Sequence, residues 1–277
     1  MVQQPAAVTV GRATAVYWPG VENIAVSLAE LADVSTDWPG LTQGWHSPLT
    51  VLIAPDQSTF DSLTRGVIPE WGAGVAYPFR NTIVLKLNGD PRRVLTHELA
   101  HLALHSRVRR TPLWFSEGYA VRAAGEWGRL SGLRVNLALA LGRVPGFATL
   151  DRDLRGGATA AGSAYALAAT AVLLLERMGR ERGLAPLFER WNAVGGLDQA
   201  LRETHLVTLD QFEEAWRKDT RTRYGWLAYL SSFTVFWMIV GGLVSVLWYS
   251  RIKRDRLRRE QLDSGWDIPS QEWRGEG

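Results

Sequence analysis

The sequence has no cysteine among its 277 residues. Disulfides, thiolate nucleophiles, cysteine-ligated zinc and iron–sulfur clusters are therefore excluded. The compartment stays open, because a chain without thiols is at ease on either side of a membrane. It also lacks internal repeats. At 46% hydrophobic and 21% charged it is an ordinary globular mixture, which rules out wholesale disorder, collagen-like arrays and coiled-coil arrays. An excess of one charge sign is missing over most of its length. The net charge is +3, but residues 251–259 alone carry +5, so the remainder sums to about −2. The basic balance is a short patch, not a surface shaped for nucleic acid, and no nucleic-acid-binding motif occurs. Nucleic acid is not an expected partner.

What is present begins with a long apolar run. Residues 225–249 contain no charge, and 25 residues of helix exceed the roughly 30 Å hydrocarbon core of a bilayer. Trp226 and Tyr229 at one end and Trp248 and Tyr249 at the other stand where aromatic belts form. This stretch is expected to be a single membrane-spanning helix, followed by a basic juxtamembrane tail over 250–277. A buried core helix is the alternative reading. More Lys and Arg follow the span than precede it, so the positive-inside rule expects a cytoplasmic C-terminus and an extracytoplasmic N-terminal domain. Export needs a leader, and residues 1–10 hold neither a charged start nor a long apolar run. A leader removed upstream is the reading preferred over a cytosolic domain on a tail-type anchor. The basic tail either fixes topology or also meets anionic lipid head groups.

The segment before the span mixes element types. Residues 49–54 (LTVLIA), 74–77 and 81–87 (NTIVLKL) read as strands, and 58–65 as a short helix stopped by Gly66. Asp90-Pro91 is an N-cap followed by Pro at N1, predicting a helix to about residue 106. Thr111-Pro112 repeats that signature for a second helix ending at Gly125. Further helices are expected over about 163–178, 184–192 and 209–220.

Within the helix after Asp90 lies His97-Glu98-Leu99-Ala100-His101, an HExxH pattern. Residues four apart share one helix face, so both imidazoles can reach one ion. Glu98 sits about 100° round from His97, beside such an ion and not on it, where it can take a proton from water. Two core imidazoles hydrogen-bonded internally are the structural alternative. A catalytic zinc wants three protein ligands and an open position. On the next helix, Glu117 lies within WFSEGYA (114–120), a mainly apolar stretch in which an unpaired carboxylate is expensive to bury. A surface Glu on an amphipathic helix is the competing reading. Gly118 beside it permits close backbone approach.

HELAH followed by WFSEGYA resembles the gluzincin metallopeptidases, and especially their peptidase MA-like branch, where a W-x-x-E-G-x-A block supplies the third ligand. The likeness is sharp over 97–120 and extends in layout over roughly 45–220. It implies an α+β, gluzincin-like metallopeptidase domain over 1–223. Its sheet would occupy about 10–90, its zinc-binding helices 90–125 and its helical part 126–223. It also implies one Zn2+ per chain held by His97, His101 and Glu117, with Glu98 as general base and proton shuttle. A peptide or protein substrate would lie on an upstream edge strand, for which Gly74, Val75 and Ala76, or residues 81–87, are candidates.

The departures are informative. Only fifteen residues separate His101 from Glu117, so the connection must be tight. Position 121 is Val, where some gluzincins carry an acid that orients a ligand histidine; a backbone carbonyl could serve instead. Gly72-Ala73-Gly74-Val75-Ala76 lacks the acid with which the aminopeptidases' GAMEN block holds an amino terminus, which favours an endopeptidase. Tyr165, expected near a helix start, is either an oxyanion donor or a packed aromatic. His105 lies too far along the helix to join the same ion and is expected behind the ligands or in the core. His46 and His205 have no partner motif and read as structural. The function expected is a membrane-anchored zinc endopeptidase. The alternatives are a non-catalytic receptor or scaffold on a peptidase-like fold, and a zinc hydrolase acting on a non-peptide bond.

Overall fold

A computed structural model describes residues 4–34, 38–41, 47–69, 71–141, 144–225 and 233–263. The chain divides into two compact units, Met1–Trp226 and Leu227–Gly277. The first contains a five-stranded mixed sheet: β1 (Ala6–Val10), β2 (Ala13–Tyr17), β3 (Leu49–Ala54), β4 (Gly74–Tyr77) and β5 (Thr82–Lys86), in the order β1-β2-β3-β5-β4. β2, β3 and β5 run parallel, while β1 and β4 pair antiparallel at the two edges. The strands expected at 49–54, 74–77 and 81–87 form in place. The sheet starts at Ala6, earlier than the boundary expected near residue 10, because β1 and β2 make a hairpin of small residues whose signal is weak.

Helices cover both faces of this sheet. α1 (Glu22–Asp33) and α3 (Pro91–Arg107) bury Leu28, Ala32, Leu95 and Leu99 against Ala15, Val51, Ile53 and Ile83. α2 (Gln57–Thr64) closes the other face, with Phe60 on Ala54 and Val84. β3 and β5 therefore carry apolar side chains on both sides, as interior parallel strands do. α3 begins as the sequence predicts. The Asp90 carboxylate accepts the Arg93 N–H at 3.2 Å, and Pro91 occupies the first helical position.

The helical half differs from expectation at two starts. α4 (Leu113–Ala123) has Pro112 at its N-cap, not at N1, and Thr111 supplies no cap. Asp151 of α6 (Phe147–Leu154) takes that role from a distance, accepting the Trp114 N–H at 2.7 Å. α7 (Ala158–Met178) starts at Ala158, earlier than the predicted residue 163, since the Ala-rich turn continues as helix. Tyr165 consequently lies inside α7. α5 (Arg129–Leu141), α8 (Ala185–Val194), α9 (Leu197–His205) and α10 (Leu209–Tyr224) complete the unit, α10 opening on a Thr208–Gln211 capping box. Aromatic residues join these helices. Trp114 stacks on Phe147 at 4.0 Å, Phe147 on Trp216 at 4.8 Å, and Phe115 meets Trp191 edge-on at 5.0 Å.

The second unit is described as one helix, α11 (Phe233–Asp263). Residues 226–232 of the expected span and 264–277 of the tail lie outside the described residues. Among the described residues, no helix is long and apolar enough to cross a membrane. Within α11 the apolar run gives way at Arg251 to a basic half.

Candidate metal centre

α3 carries His97 and His101 one turn apart, with ring centroids 5.0 Å apart and planes at 72°. The short connection to α4 brings Glu117 opposite both. Its Oε2 lies 3.4 Å from His97 Nε2 and 3.5 Å from His101 Nε2. One ligand atom from each of His97, His101 and Glu117 falls within 4.8 Å of the others. Glu117 is held there by the seat of its helix. A Cβ added at Gly118 would sit 2.4 Å from the Ala168 carbonyl oxygen, so α4 rests backbone to backbone on α7. The close approach expected at Gly118 is thus made to α7.

Behind the imidazoles stand His105 and two groups that the sequence did not single out, Ser116 and Glu126. Ser116 Oγ lies 3.0 Å from His101 Nδ1 and 3.1 Å from His105 Nε2, and the His101 and His105 rings stack at 6.2 Å. His105 therefore lies behind His101, one of the two places expected for it. Glu126 Oε1 stands 3.5 Å from His97 Nδ1 and 3.3 Å from Arg93 Nε. Ser116 adjoins Glu117 in the motif, and that adjacency was the available signal. Glu126 follows Gly125 after the helix, outside any helical period.

Glu98 is buried, only 7% exposed, and faces the edge of the sheet, its carboxylate lying against Gly74. Its carboxyl is pushed above the ordinary range, first by burial and further by Glu117, against the pull of His101 and His97. β4 is the free edge beyond β5. The Lys86 N–H donates to the Ala73 carbonyl at 3.0 Å, and antiparallel alternation then turns the amides of Gly74 and Ala76 away from β5. Gly74 itself faces Val94 and Glu98 of α3. Tyr165 stands edge-on to His97 with ring centroids 6.3 Å apart, and to Trp71 at 6.5 Å. Burial raises its hydroxyl above the usual tyrosine range, so it remains a donor. His205 lies at the end of α9 beside the Thr204 hydroxyl, apart from this cluster. His46 lies outside the described residues.

The electrostatics fit a cation. Burial works against the charge on His97, yet hydrogen bonds that it donates to Glu117 and Glu126, and the charge of Glu98, raise its pKa well above the histidine norm. Burial likewise opposes ionisation of Glu117, but His101 and His97 hold its carboxyl well below the usual range. Three carboxylates thus crowd two imidazoles in a space largely closed to water. Both imidazoles turn Nε2 inward, and their Nδ1 atoms are engaged on the outer side. Two nitrogens and one carboxylate oxygen are the donor set of a catalytic zinc site.

A helix bearing HExxH, packed between a sheet edge and a second helix that adds a glutamate, is the layout of a peptidase-like domain. The profile of the Peptidase MA superfamily matches residues 43–222, and the chain belongs to that superfamily. No curated protein matches the sequence.

Proposed function

We propose that the protein is a zinc-dependent metallopeptidase of the gluzincin type, acting as an endopeptidase. The convergence of His97, His101 and Glu117 within 4.8 Å carries this reading. In it the three side chains hold one Zn2+, which when bound supplies a Lewis acid and acidifies water to a pKa of about 7. Glu98, its proton affinity raised by burial, takes the proton from the attacking water and delivers it to the leaving amine. Tyr165 donates to the developing oxyanion. An extended peptide adds to the free edge of β4 along Gly74, Val75 and Ala76, and the missing acid over 72–76 leaves its amino terminus ungripped.

The same proposal keeps the anchor. Residues 225–249 would fix the protein to a bilayer with the catalytic domain on the extracytoplasmic side. The exposure of Met238, Leu247 and Trp248 on α11, each about two-thirds accessible, supports an apolar environment for that helix.

The test is Glu98→Gln. This variant should retain stoichiometric zinc and lose cleavage of a peptide library by at least ~100-fold, the usual scale of general-base catalysis. Undiminished proteolysis would reject the role of Glu98. Stoichiometric zinc in the unaltered protein, with no peptide cleaved, would instead favour a receptor or scaffold on this fold.

A further inference from the structure

With Val at position 121, the sequence supplies no acid on the face of α4 to orient a ligand histidine. The structure supplies one by a different route. α4 ends in a Schellman motif: the Glu126 N–H reaches the Val121 carbonyl at 3.0 Å, and the Gly125 N–H reaches that of Arg122 at 3.3 Å. Gly125 adopts the required left-handed conformation, φ +68°. The reversal turns the next residue back toward α3. Glu126, nine positions beyond Glu117, then meets His97 Nδ1 at 3.5 Å on the side away from Glu117. Arg93, one turn earlier on α3, holds the same carboxylate oxygen at 3.3 Å.

We propose that Glu126 is a positioning residue of the metal centre, a reading that rests on the zinc site proposed above. Held by Arg93 on one side, its carboxylate accepts the Nδ1 proton of His97 on the other. That fixes the tautomer whose Nε2 lone pair points at the ion, and it strengthens His97 as a ligand. The two ligand imidazoles are thus supported unlike each other, His101 by the neutral hydroxyl of Ser116 and His97 by a charged carboxylate. Its cationic partner is 56% exposed, so truncation leaves Arg93 in water, and His97 keeps Glu117 as a second carboxylate at 3.4 Å.

The experiment uses the full chain and compares the unaltered protein with Glu126→Gln and Glu126→Ala. Zinc affinity is read by competition with a chromogenic chelator, and the melting temperature is read on the metal-free proteins. Glu126→Ala should weaken zinc binding roughly 10- to 100-fold, with Glu126→Gln between it and the unaltered chain. The metal-free melting temperatures should fall by clearly less than the affinity loss accounts for, because His97 keeps Glu117 as a partner. Unchanged zinc affinity in both variants, with one ion bound by the unaltered protein, would overturn the proposal. So would a loss of affinity that tracks an equal loss of metal-free stability, since fold support alone gives that. If the unaltered protein binds no zinc, the metal centre itself falls, and this inference with it.

Discussion

Ser116 has a single hydroxyl and two imidazole nitrogens to serve, which constrains the protons around it. When His101 binds an ion through Nε2, its Nδ1 must carry the proton and donate to Ser116 Oγ. The Ser116 hydroxyl is then free to donate to His105 Nε2, the arrangement in which His105 is neutral and protonated at Nδ1. Replacing Ser116 by Ala leaves both nitrogens facing a small apolar gap. We expect the variant to lose ~1–3 kcal/mol of stability, the scale of orphaned buried polar groups, together with roughly tenfold or more in zinc affinity. Denaturant titration and chelator competition check the two effects separately. A variant with unaltered zinc affinity would remove Ser116 from the site. At this scale the inner residues were legible in the sequence, because His97, Glu98 and His101 stand in helical register and Glu117 is an acid in an apolar block. Of the outer ones only His105 was, as a residue behind the ligands or in the core. Ser116 meets it only once α3 and α4 are packed, and Glu126 arrives through a chain reversal.

Legibility also varies from element to element, according to whether the cause of each boundary is local. α3 starts where Asp90-Pro91 predicts because its cap is its own neighbour. α4 carries the same two-residue signal, Thr111-Pro112, yet its N-terminus is satisfied by Asp151 from another helix, a partner no local pattern reveals. β1 and β2 went unread because alternating Ala, Thr and Val with few large side chains give little periodicity. The remote cap makes a specific prediction. Asp151→Ala should cost about 1 kcal/mol, in the range measured for lost N-caps, while Asp151→Asn should recover most of it by keeping an acceptor at Oδ1. Equilibrium unfolding of the two variants measures the difference. Equal stability in both would show that the charge at the helix N-terminus, and not the hydrogen bond, is what α4 needs.

For the whole molecule, the arrangement of charge links metal binding to folding. The centre gathers Glu98, Glu117 and Glu126 around His97 and His101 on the unit that holds the sheet, and His97, His101 and Glu117 converge only when α3, α4 and α7 are packed together. An unfolded chain offers the same side chains without that convergence, so it binds zinc more weakly. By mass action, zinc should therefore stabilise the folded protein, by ~4 kcal/mol when free zinc stands a thousandfold above its dissociation constant. For domains of this size ~1 kcal/mol corresponds to a 2–4 °C change in melting temperature, so a rise on the order of 10 °C is expected. Removal of zinc with a chelator should return the protein to its lower value, and His97→Ala or His101→Ala should abolish the response. Glu98→Gln should behave differently. That side chain stands beside the proposed ion without holding it, so the thermal gain on adding zinc should survive while catalysis is lost. A thermal response that vanished with Glu98→Gln but persisted with His97→Ala would reverse the roles assigned to the two neighbouring residues.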